Sequence, residues 1–313
     1  MSIDKKFIDE FVRVTSRAAL ATYHLLGKED KISADKAAVD SMRHELNKIN
    51  MNGQIVIGEG EIDKAPMLFI GEMLGSMKGP EFDIAVDPLE GTNFAAKNLP
   101  GALSVIAVSE KSNLLKAPET YMEKIATSQV DKGVIDLDYS VEKNISNLAE
   151  FKNKLPNQLT ACIMDRPRHK NIIETLKKMN VKLKLITDGD ISGALLVSNE
   201  KYKVDIFFGI GGGPEGVLAA VALDTFNCHF QGRFIFKTSE DKNRAFKMGI
   251  KDLDKKYELN EIISGDSIFC ATGVTSGDLV NGIKINKNKF YSETFVTHKS
   301  SGSKQIVKLN QII

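Results

Sequence analysis

The chain has 313 residues, a formal net charge of +1, 42% hydrophobic residues and 27% charged residues. A chain of this length usually exceeds one small core, so we expect two lobes. The balanced charge predicts no broad basic surface, and so no nucleic acid or membrane partner. The N-terminal segment MSIDKKFIDEFVRV mixes acids with apolar residues, so we expect no signal peptide. No stretch approaches about 18 uninterrupted apolar residues, so we expect no membrane span.

The first third of the chain predicts two helices and then strands. Residues 3–26 form an amphipathic pattern, with apolar residues at steps of three and four and Gly27 as a stop. Ser33 is expected to cap a second helix that runs to about Lys48. Three segments predict strands: GQIVIGEGE, FDIAVDP and ALSVIAVSE. APMLFIGEML is ambiguous between strand and helix, and we place Tyr121, in APETYMEKIA, on a helix.

From about Asn157 onward, predicted strands and helices alternate. The strands are LTACIMD, KLKLITDGD and VDIFFGIGGG, and the helices are RHKNIIETLKKMN, ISGALLVS and PEGVLAAVALDTF. This alternation is typical of a mostly parallel sheet covered by helices, in which ligands bind beyond the C-terminal strand ends. SIFCATG and KFYSETFVTHKS predict further strands. The polar segment KNKLPNQ suggests a boundary between an N-terminal lobe, 1–155, and a C-terminal α/β lobe, 156–313.

Cysteine usage indicates a reducing compartment. The three cysteines, Cys162, Cys228 and Cys270, lie in apolar surroundings without CxxC spacing. An odd count of this kind argues against a disulfide framework or a zinc site. Free cysteine is usually a small core residue, so we expect three buried thiols in a cytoplasmic protein.

Acidic residues follow three of the apolar strands. They are Glu59, Glu61 and Asp63 in IVIGEGEID, Asp87 and Glu90 in DIAVDPLEGT, and Glu215 in GIGGGPEG. Carboxylate oxygens are the ligands that Mg²⁺ and Mn²⁺ prefer. Several carboxylates held together repel one another unless cations neutralise them or their pKa values rise. Acids gathered at strand ends therefore predict a divalent metal site.

The segment DPLEGT adds groups suited to a phosphate. Pro88 restricts Asp87 to extended backbone, and Gly91 allows the backbone to approach a ligand closely. Thr92 is expected to begin a helix, where free N–H groups and the dipole favour a phosphate. Its hydroxyl is placed to orient a water molecule. We therefore interpret this segment as a metal clamp joined to a phosphate site.

Each acidic motif also has a simpler interpretation. An Asp-Pro pair after a strand is commonly only a turn, and Glu215 alone is typical of a first-turn acid that complements the helix dipole. GEGE alone is typical of a solvated loop. Their joint occurrence, each at the end of an apolar strand, favours function.

Two further polar segments follow predicted strands. Arg166 and Arg168, in DRPRH, are suited to hold a second phosphate, although a basic helix start explains them equally well. Asp188 and Asp190, in DGD, are suited to accept hydrogen bonds from sugar hydroxyls, although an N-cap turn is the simpler alternative. The five histidines lack HExxH spacing, so we interpret them as structural or surface residues. GIGGGPEG lacks the register of a dinucleotide loop.

Six motifs in order resemble class II fructose-1,6-bisphosphatase: IVIGEGEIDKAPML, DIAVDPLEGT, APETYMEKIA, DRPRH, TDGD and GIGGGPEG. The resemblance runs from about Ser33 to the C-terminus. DPLEGT is also similar to the DP-(I/L)-D-G-T element of the lithium-sensitive, metal-dependent sugar phosphatases, with Glu90 where many have Asp. The later WDxxA element of those relatives is absent, and PEG takes its place. The glycines before Pro214 differ slightly from the expected GGAPEG.

The resemblance implies a layered αβαβα sugar-phosphatase fold in two lobes, in the α/β or α+β class. It implies hydrolysis of fructose 1,6-bisphosphate to fructose 6-phosphate and phosphate, with Mn²⁺ or Mg²⁺ as cofactor. It further implies a cytoplasmic enzyme of gluconeogenesis that forms a homodimer or homotetramer and takes a small-molecule sugar bisphosphate.

The resemblance also implies residue roles. The implied metal ligands are Asp35, Glu59, Asp87, Glu90 and Glu215. The implied substrate-binding residues are Glu90, Gly91, Thr92, Tyr121, Arg166, Pro167, Arg168, Asp188, Gly189, Asp190 and Gly212. Thr92 would orient the attacking water, and Asp35 or Glu61 would accept its proton. Asp35 follows from the resemblance alone, since its SADK context by itself predicts only a helix cap.

Three alternatives remain open at this point. A related sugar bisphosphatase, acting on sedoheptulose 1,7-bisphosphate, would use the same two-phosphate clamp. An inositol-type phosphatase would share the metal site. A non-catalytic, nucleotide-binding regulatory protein would use the glycine-rich turns without hydrolysis, and it predicts nucleotide affinity without metal-dependent phosphate release.

Overall fold

The computed structural model of the chain describes residues 2–58 and 68–313. Its contacts divide the chain into two compact units, which we call unit 1 (Met1–Lys116 with Ile263–Ile313) and unit 2 (Ala117–Ile262). The predicted boundary at 155/156 does not coincide with this division. The reason is that strands near the C-terminus return to the N-terminal sheet, where Ser267–Gly273 pairs antiparallel with Leu103–Glu110.

The helices in chain order are α1 (Lys6–Tyr23), α2 (Lys31–Leu46), α3 (Thr92–Ala96), α4 (Val141–Phe151), α5 (Lys170–Lys178), α6 (Asp190–Leu195), α7 (Gly213–Thr225), α8 (Ser239–Lys247) and α9 (Leu259–Ile262). The strands are β1 (Asn52–Ile57), β2 (Met73–Leu74), β3 (Glu81–Glu90), β4 (Leu103–Glu110), β5 (Tyr121–Thr127), β6 (Thr160–Met164), β7 (Lys182–Ile186), β8 (Ile206–Gly212), β9 (His229–Ile235), β10 (Lys256–Glu258), β11 (Ser267–Gly273), β12 (Lys284–Asn286), β13 (Lys289–His298) and β14 (Ser303–Ile312).

Unit 1 contains one large sheet with helices α1 and α2 packed on it. The strand order is β12-β13-β11-β4-β3-β1-β2, and β14 pairs with β13. Phe11 and Met42 of the helices share a core with Ile84 and Ile268 of the sheet, so the amphipathic pattern correctly predicted α1. The predicted cap of α2 at Ser33 is wrong. Asp30 caps this helix, since its carboxylate accepts a hydrogen bond from the Ser33 N–H at 3.0 Å.

Unit 2 contains a sheet with strand order β10-β9-β5-β8-β6-β7. The strands β7, β6 and β8 are parallel, but β5 runs antiparallel to both β8 and β9, so the sheet is mixed rather than mostly parallel. Apolar residues of α4 and α5 pack on one face of the sheet, and α6 and α7 contact its strands on the other face. The predicted helices α5, α6 and α7 are confirmed.

Tyr121 begins strand β5, so its predicted helical position is wrong. This strand lies between two neighbours, and residues of both of its faces are buried, including Met122, Ile125 and Ala126. Burial on both faces removes the alternation of polar and apolar residues by which a strand is recognised.

The structure confirms the mixed α/β class, with two sheets and helices packed on them. All three cysteines are free and buried, as predicted. Within the described ranges, no helix combines the length and apolar character that a bilayer span requires.

Candidate active site

The acid-bearing end of β3 lies in the sheet of unit 1. The predicted strand FDIAVDP ends at Pro88, whereas β3 continues to Glu90, with a shift in its register against β4 between Asp87 and Glu90. Asp87 is half-buried, and Glu90 is only 4% exposed. Because a carboxylate loses its hydration when buried, the position of Glu90 favours a nearby cation. Both acids are paired with β4, Asp87 with Val105 and Glu90 with Leu103, which fixes their backbone.

Gly91 and Thr92 follow directly. Gly91 has φ +74°, a left-handed conformation that other residues rarely adopt, and a Cβ there would lie 2.9 Å from the Phe94 ring. Thr92 is the first residue of α3, as predicted, and its hydroxyl donates to the Leu89 carbonyl at 3.4 Å. Helix α3 has only five residues, so its dipole contributes less to phosphate binding than the prediction assumed.

Asp35 lies on α2 and is half-buried. The neighbouring residues Ala34 and Ala38 share a core cluster with Leu89 and Ala95. This packing places the segment of α2 that carries Asp35 against the end of β3 and the start of α3. Unit 1 therefore gathers three of the predicted metal-binding acids on segments that pack together.

Glu59, Glu61 and Asp63 lie outside the described residues. Within residues 2–58 and 68–313, the structure contains no group of three or more His, Cys, Asp or Glu side chains that could hold a metal ion. Asp35, Asp87 and Glu90 each offer carboxylate oxygens, the ligand type that hard divalent cations such as Mg²⁺ or Mn²⁺ prefer.

In unit 2, the last residues of β8 organise the predicted sugar-phosphate residues. The Ile210 N–H donates to His169 Nε2 at 2.8 Å, and the Ile210 carbonyl accepts from Arg168 Nε. These contacts join the DRPRH segment to β8. The side chain of Arg166 lies 4.0 Å from the Asp188 carboxylate, so it also reaches the turn before α6.

The next two residues of β8 make room for carboxylates. A Cβ on Gly211 would lie 2.5 Å from Asp190 Oδ2, and a Cβ on Gly212 would overlap the Glu215 carboxylate. Only glycine therefore allows both acids to approach the strand at these positions. Gly189, in left-handed conformation with φ +83°, precedes Asp190 as the cap residue of α6. The structure thus brings Asp190, Gly212 and Glu215 together.

The buried Lys124, which the sequence analysis missed, lies at the centre of this arrangement. Its side chain is 1% exposed, forms an ion pair with Asp190, and donates to the Gly212 carbonyl at 2.8 Å. Burial raises the pKa of Glu215, while the Lys124 charge opposes this rise and Asp190 adds to it. Part of the acidic charge in unit 2 is therefore compensated by an internal lysine.

Tyr121 lies at the same end of the sheet, since it pairs with Gly212 across β5 and β8. Its ring is contacted by two cations, with Arg168 Cζ at 5.1 Å and Lys237 Nζ at 4.7 Å from the ring centroid. The tyrosine is 38% exposed. An exposed aromatic ring with two adjacent cations is chemically suited to a sugar that carries a phosphate.

His169 is buried in neutral form. Its Nε2 accepts from the Ile210 N–H, so this nitrogen carries no proton and the proton of the neutral ring lies on Nδ1. Burial lowers the pKa of His169 to about 4, with a further lowering from the adjacent Arg168 charge, although Asp190 opposes it. Protonation would place a second donor against the Ile210 N–H.

We expect this histidine to make the protein less stable in acid. In the unfolded chain its pKa is about 6.5, so between about pH 6.5 and pH 4 the unfolded state binds the proton and the folded state does not. The contribution of His169 to the free energy of unfolding is complete above about pH 6.5. It falls by up to about 3 kcal/mol as the pH drops through this window. Urea denaturation at pH 7 and pH 4.5 measures how much the free energy of unfolding falls in acid. This fall should be smaller in His169→Gln, which keeps a hydrogen-bond acceptor, than in the wild type. An equal fall in the free energy of unfolding in the wild type and in His169→Gln would contradict this role of the histidine.

The comparisons with known proteins agree on one family. Residues 5–311 match the family model described as bacterial fructose-1,6-bisphosphatase, glpX-encoded. A relative from Synechococcus sp. (strain JA-3-3Ab), named D-fructose 1,6-bisphosphatase class 2/sedoheptulose 1,7-bisphosphatase, is 40% identical over 97% of this chain and 95% of its own. A relative of the same name from Synechococcus sp. (strain JA-2-3B'a(2-13)) is 41% identical with the same coverage.

Among solved structures, the extragenic suppressor protein suhB from Bartonella henselae matches with a TM-score of 0.35 and 12% identity, over 63% of this chain and 73% of that one. The family of the sequence relatives consists of phosphoric monoester hydrolases, so it supports an enzyme rather than a non-catalytic nucleotide-binding protein. Because the family model spans nearly the whole chain and relatives near 40% identity cover it, the chain belongs to the bacterial class II fructose-1,6-bisphosphatase family.

Proposed function

We propose that the chain hydrolyses the 1-phosphate of fructose 1,6-bisphosphate to give fructose 6-phosphate and inorganic phosphate. The observation that carries this proposal is the end of β3, where a buried strand delivers Asp87 and Glu90 and leads through a left-handed glycine into Thr92. The family match and the names of the relatives support the choice of substrate.

Asp35, Asp87 and Glu90 are the described residues of unit 1 that would hold divalent cations, and Glu59 and Glu215 complete the proposed set. The family is one of metal-dependent phosphatases. When bound, the cations supply electrostatic stabilisation of the phosphoryl oxygens and activation of the attacking water. The ligands are all carboxylates, and the choice between Mg²⁺ and Mn²⁺ is left to experiment.

The chain's own residues perform the remaining steps. The Thr92 hydroxyl would orient the water for in-line attack, and Asp35 or Glu61 would accept its proton. Glu90, Gly91 and Thr92 would line the phosphate that is attacked. Because charge on the phosphoryl oxygens changes during the reaction, groups fixed by the strand and turn stabilise the transition state more than the substrate.

The sugar and the remote phosphate are assigned to a second group of residues. The proposed binding residues there are Tyr121, Arg166, Pro167, Arg168, Asp188, Gly189, Asp190 and Gly212. The ion pair of Asp190 with Lys124 fixes the acid within this set rather than leaving it to solvent. The role of these residues is to bind and orient, since the bond that breaks involves the distant 1-phosphate.

Arg168→Ala should therefore raise KM about tenfold or more and change kcat by less than about threefold. The guanidinium is exposed and is held by the Ile210 carbonyl and the Tyr121 ring, so its removal costs binding without disturbing the core. Steady-state kinetics on fructose 1,6-bisphosphate measure both constants. Arg244→Ala, on the exposed helix α8, is the control. A loss confined to kcat would contradict a binding role.

A phosphate-release assay tests the proposed function directly. Activity on fructose 1,6-bisphosphate should disappear in EDTA and return when Mg²⁺ or Mn²⁺ is added in excess. Turnover that persists after complete chelation would overturn the metal-dependent mechanism. Absence of phosphate release under every metal condition would overturn the substrate.

Sedoheptulose 1,7-bisphosphate is a second candidate substrate, since the relatives carry both names. The phosphate-release assay with sedoheptulose 1,7-bisphosphate tests whether the chain also hydrolyses this sugar. A homodimer or homotetramer and a cytoplasmic place in gluconeogenesis complete the proposal, and these rest on the family resemblance. Size-exclusion chromatography with light scattering measures the oligomeric state.

A further inference from the structure

Lys237 is a cation that the proposed function has not used. It follows β9, which ends at Ile235, and precedes Thr238, the cap residue of α8. Tyr121 pairs with Ile235 across β5 and β9, and the hydroxyl of Thr120 donates to the Ile235 carbonyl at 2.6 Å. Lys237 therefore lies at the end of the unit 2 sheet where Tyr121 also lies.

Lys237 and Arg168 share one aromatic ring. Their cationic groups lie 4.7 Å and 5.1 Å from the Tyr121 ring centroid. Within the described part of the chain, neither side chain forms an ion pair with a carboxylate. Two like charges near the same ring repel each other, and an anion placed between them would remove that repulsion.

A second lysine of unit 2 shows the contrast. Lys255 lies 4.8 Å from the Tyr257 ring centroid, in a similar contact, but its ammonium also pairs with Glu261 at 2.9 Å. Its charge is thus compensated by the protein. At Tyr121 the described chain provides two exposed cations on one ring and no carboxylate within ion-pair distance of either, so an anionic ligand there would meet two unpaired cations.

We propose that Lys237 is a further binding residue for the phosphate remote from the bond that is hydrolysed, and that it helps to select bisphosphates over monophosphates. This inference rests on the proposed function and deepens it. Lys237 is exposed, and its ammonium group lies at the end of a flexible side chain. Rotation about side-chain bonds alone would bring this group to a phosphate oxygen. Its proposed role is in substrate binding, and it does not contact the reacting atoms.

The decisive experiment compares Lys237→Met with Lys201→Met. The control residue has the same cation–ring distance, 4.7 Å to Tyr202, but lies on a different segment of unit 2. Lys237→Met should raise KM for fructose 1,6-bisphosphate about tenfold, with kcat within about twofold. KM for fructose 1-phosphate, which lacks the remote phosphate, should not change. Lys201→Met should behave as the wild type with both substrates.

Calorimetric binding of fructose 6-phosphate to the EDTA-treated protein gives a second readout that needs no turnover. Lys237→Met should weaken this binding about tenfold. Wild-type affinity in the variant would overturn the role of Lys237 and leave the proposed hydrolysis intact. If the wild-type protein binds fructose 6-phosphate but hydrolyses no bisphosphate, the proposed function fails while the calorimetry still decides the role of Lys237. Equal rises in KM for the bisphosphate and for fructose 1-phosphate would also overturn the inference.

Discussion

Replacing Thr92 by alanine should lower kcat about 100-fold to 10,000-fold and change KM by only a few-fold. Thr92 is the first residue of α3 and follows the buried Glu90, one of the proposed metal-binding acids, by two positions. Loss of the hydroxyl removes the group that orients the attacking water, whereas the backbone that lines the phosphate is retained. Steady-state phosphate release with excess divalent metal measures the effect.

The matched variant is Thr92→Ser, which keeps the hydroxyl and should stay within about tenfold of the wild-type kcat. Thermal unfolding of both variants should resemble that of the wild type, because Thr92 is only half-buried and the hydrogen bond from its hydroxyl to Leu89 is long at 3.4 Å. A normal kcat in Thr92→Ala would remove this residue from the mechanism. An equal loss in both variants would show that the methyl packing, rather than the hydroxyl, is responsible.

Replacing Lys124 by methionine should destabilise the protein by about 3–5 kcal/mol. Its side chain is 1% exposed and that of Asp190 is 8% exposed, so the change leaves a buried carboxylate without its cation. The Gly212 carbonyl also loses a hydrogen bond. Methionine has nearly the same length, so little of the effect arises from a cavity. Urea denaturation in EDTA, followed by circular dichroism, should show a clear fall in the midpoint.

Two further variants separate the buried charge from other causes. Lys124→Met combined with Asp190→Asn should recover much of the lost stability, since no unpaired charge then remains. Lys154→Met is the control, because that lysine pairs with Asp205 at 2.9 Å but its side chain is 41% exposed. We expect Lys154→Met to lower the free energy of unfolding by less than about 1 kcal/mol. Wild-type stability in Lys124→Met would contradict the buried ion pair.

The part of the fold that the sequence predicted best lies between β6 and α7. Its strands are short, and an Asp or Gly occurs at the end of each strand or within two residues of it. A helix starts within six residues of each strand, so the boundaries are marked by local chemistry. Local signals cannot show which distant strands pair. The antiparallel position of β5 between β8 and β9, and the return of β11 to β4, depend on contacts far apart in the chain.

The candidate site shows the same limit. Asp87, Glu90 and Thr92 could be proposed because they adjoin one apolar strand and one turn. Lys124 was missed because a lysine in a strand is normally exposed, and its partner Asp190 lies 66 positions later. A signal was nevertheless present, since Lys124 occurs in an otherwise apolar strand interior beside Met122 and Ile125. Lys237 was missed because a single lysine before a helix cap is common at surfaces.

The pairing of β4 with β11 has a consequence for biosynthesis. While the ribosome makes the chain, the edge of β4 that will receive β11 has no partner until all of unit 2 has been translated. At about 5–20 residues per second, that delay is on the order of ten seconds. Through this interval an edge containing Val105, Ile106 and Ala107 stays open to other nascent chains. All of unit 2 is synthesised before β11, so a chaperone that shields this edge of β4 would raise the yield of active protein.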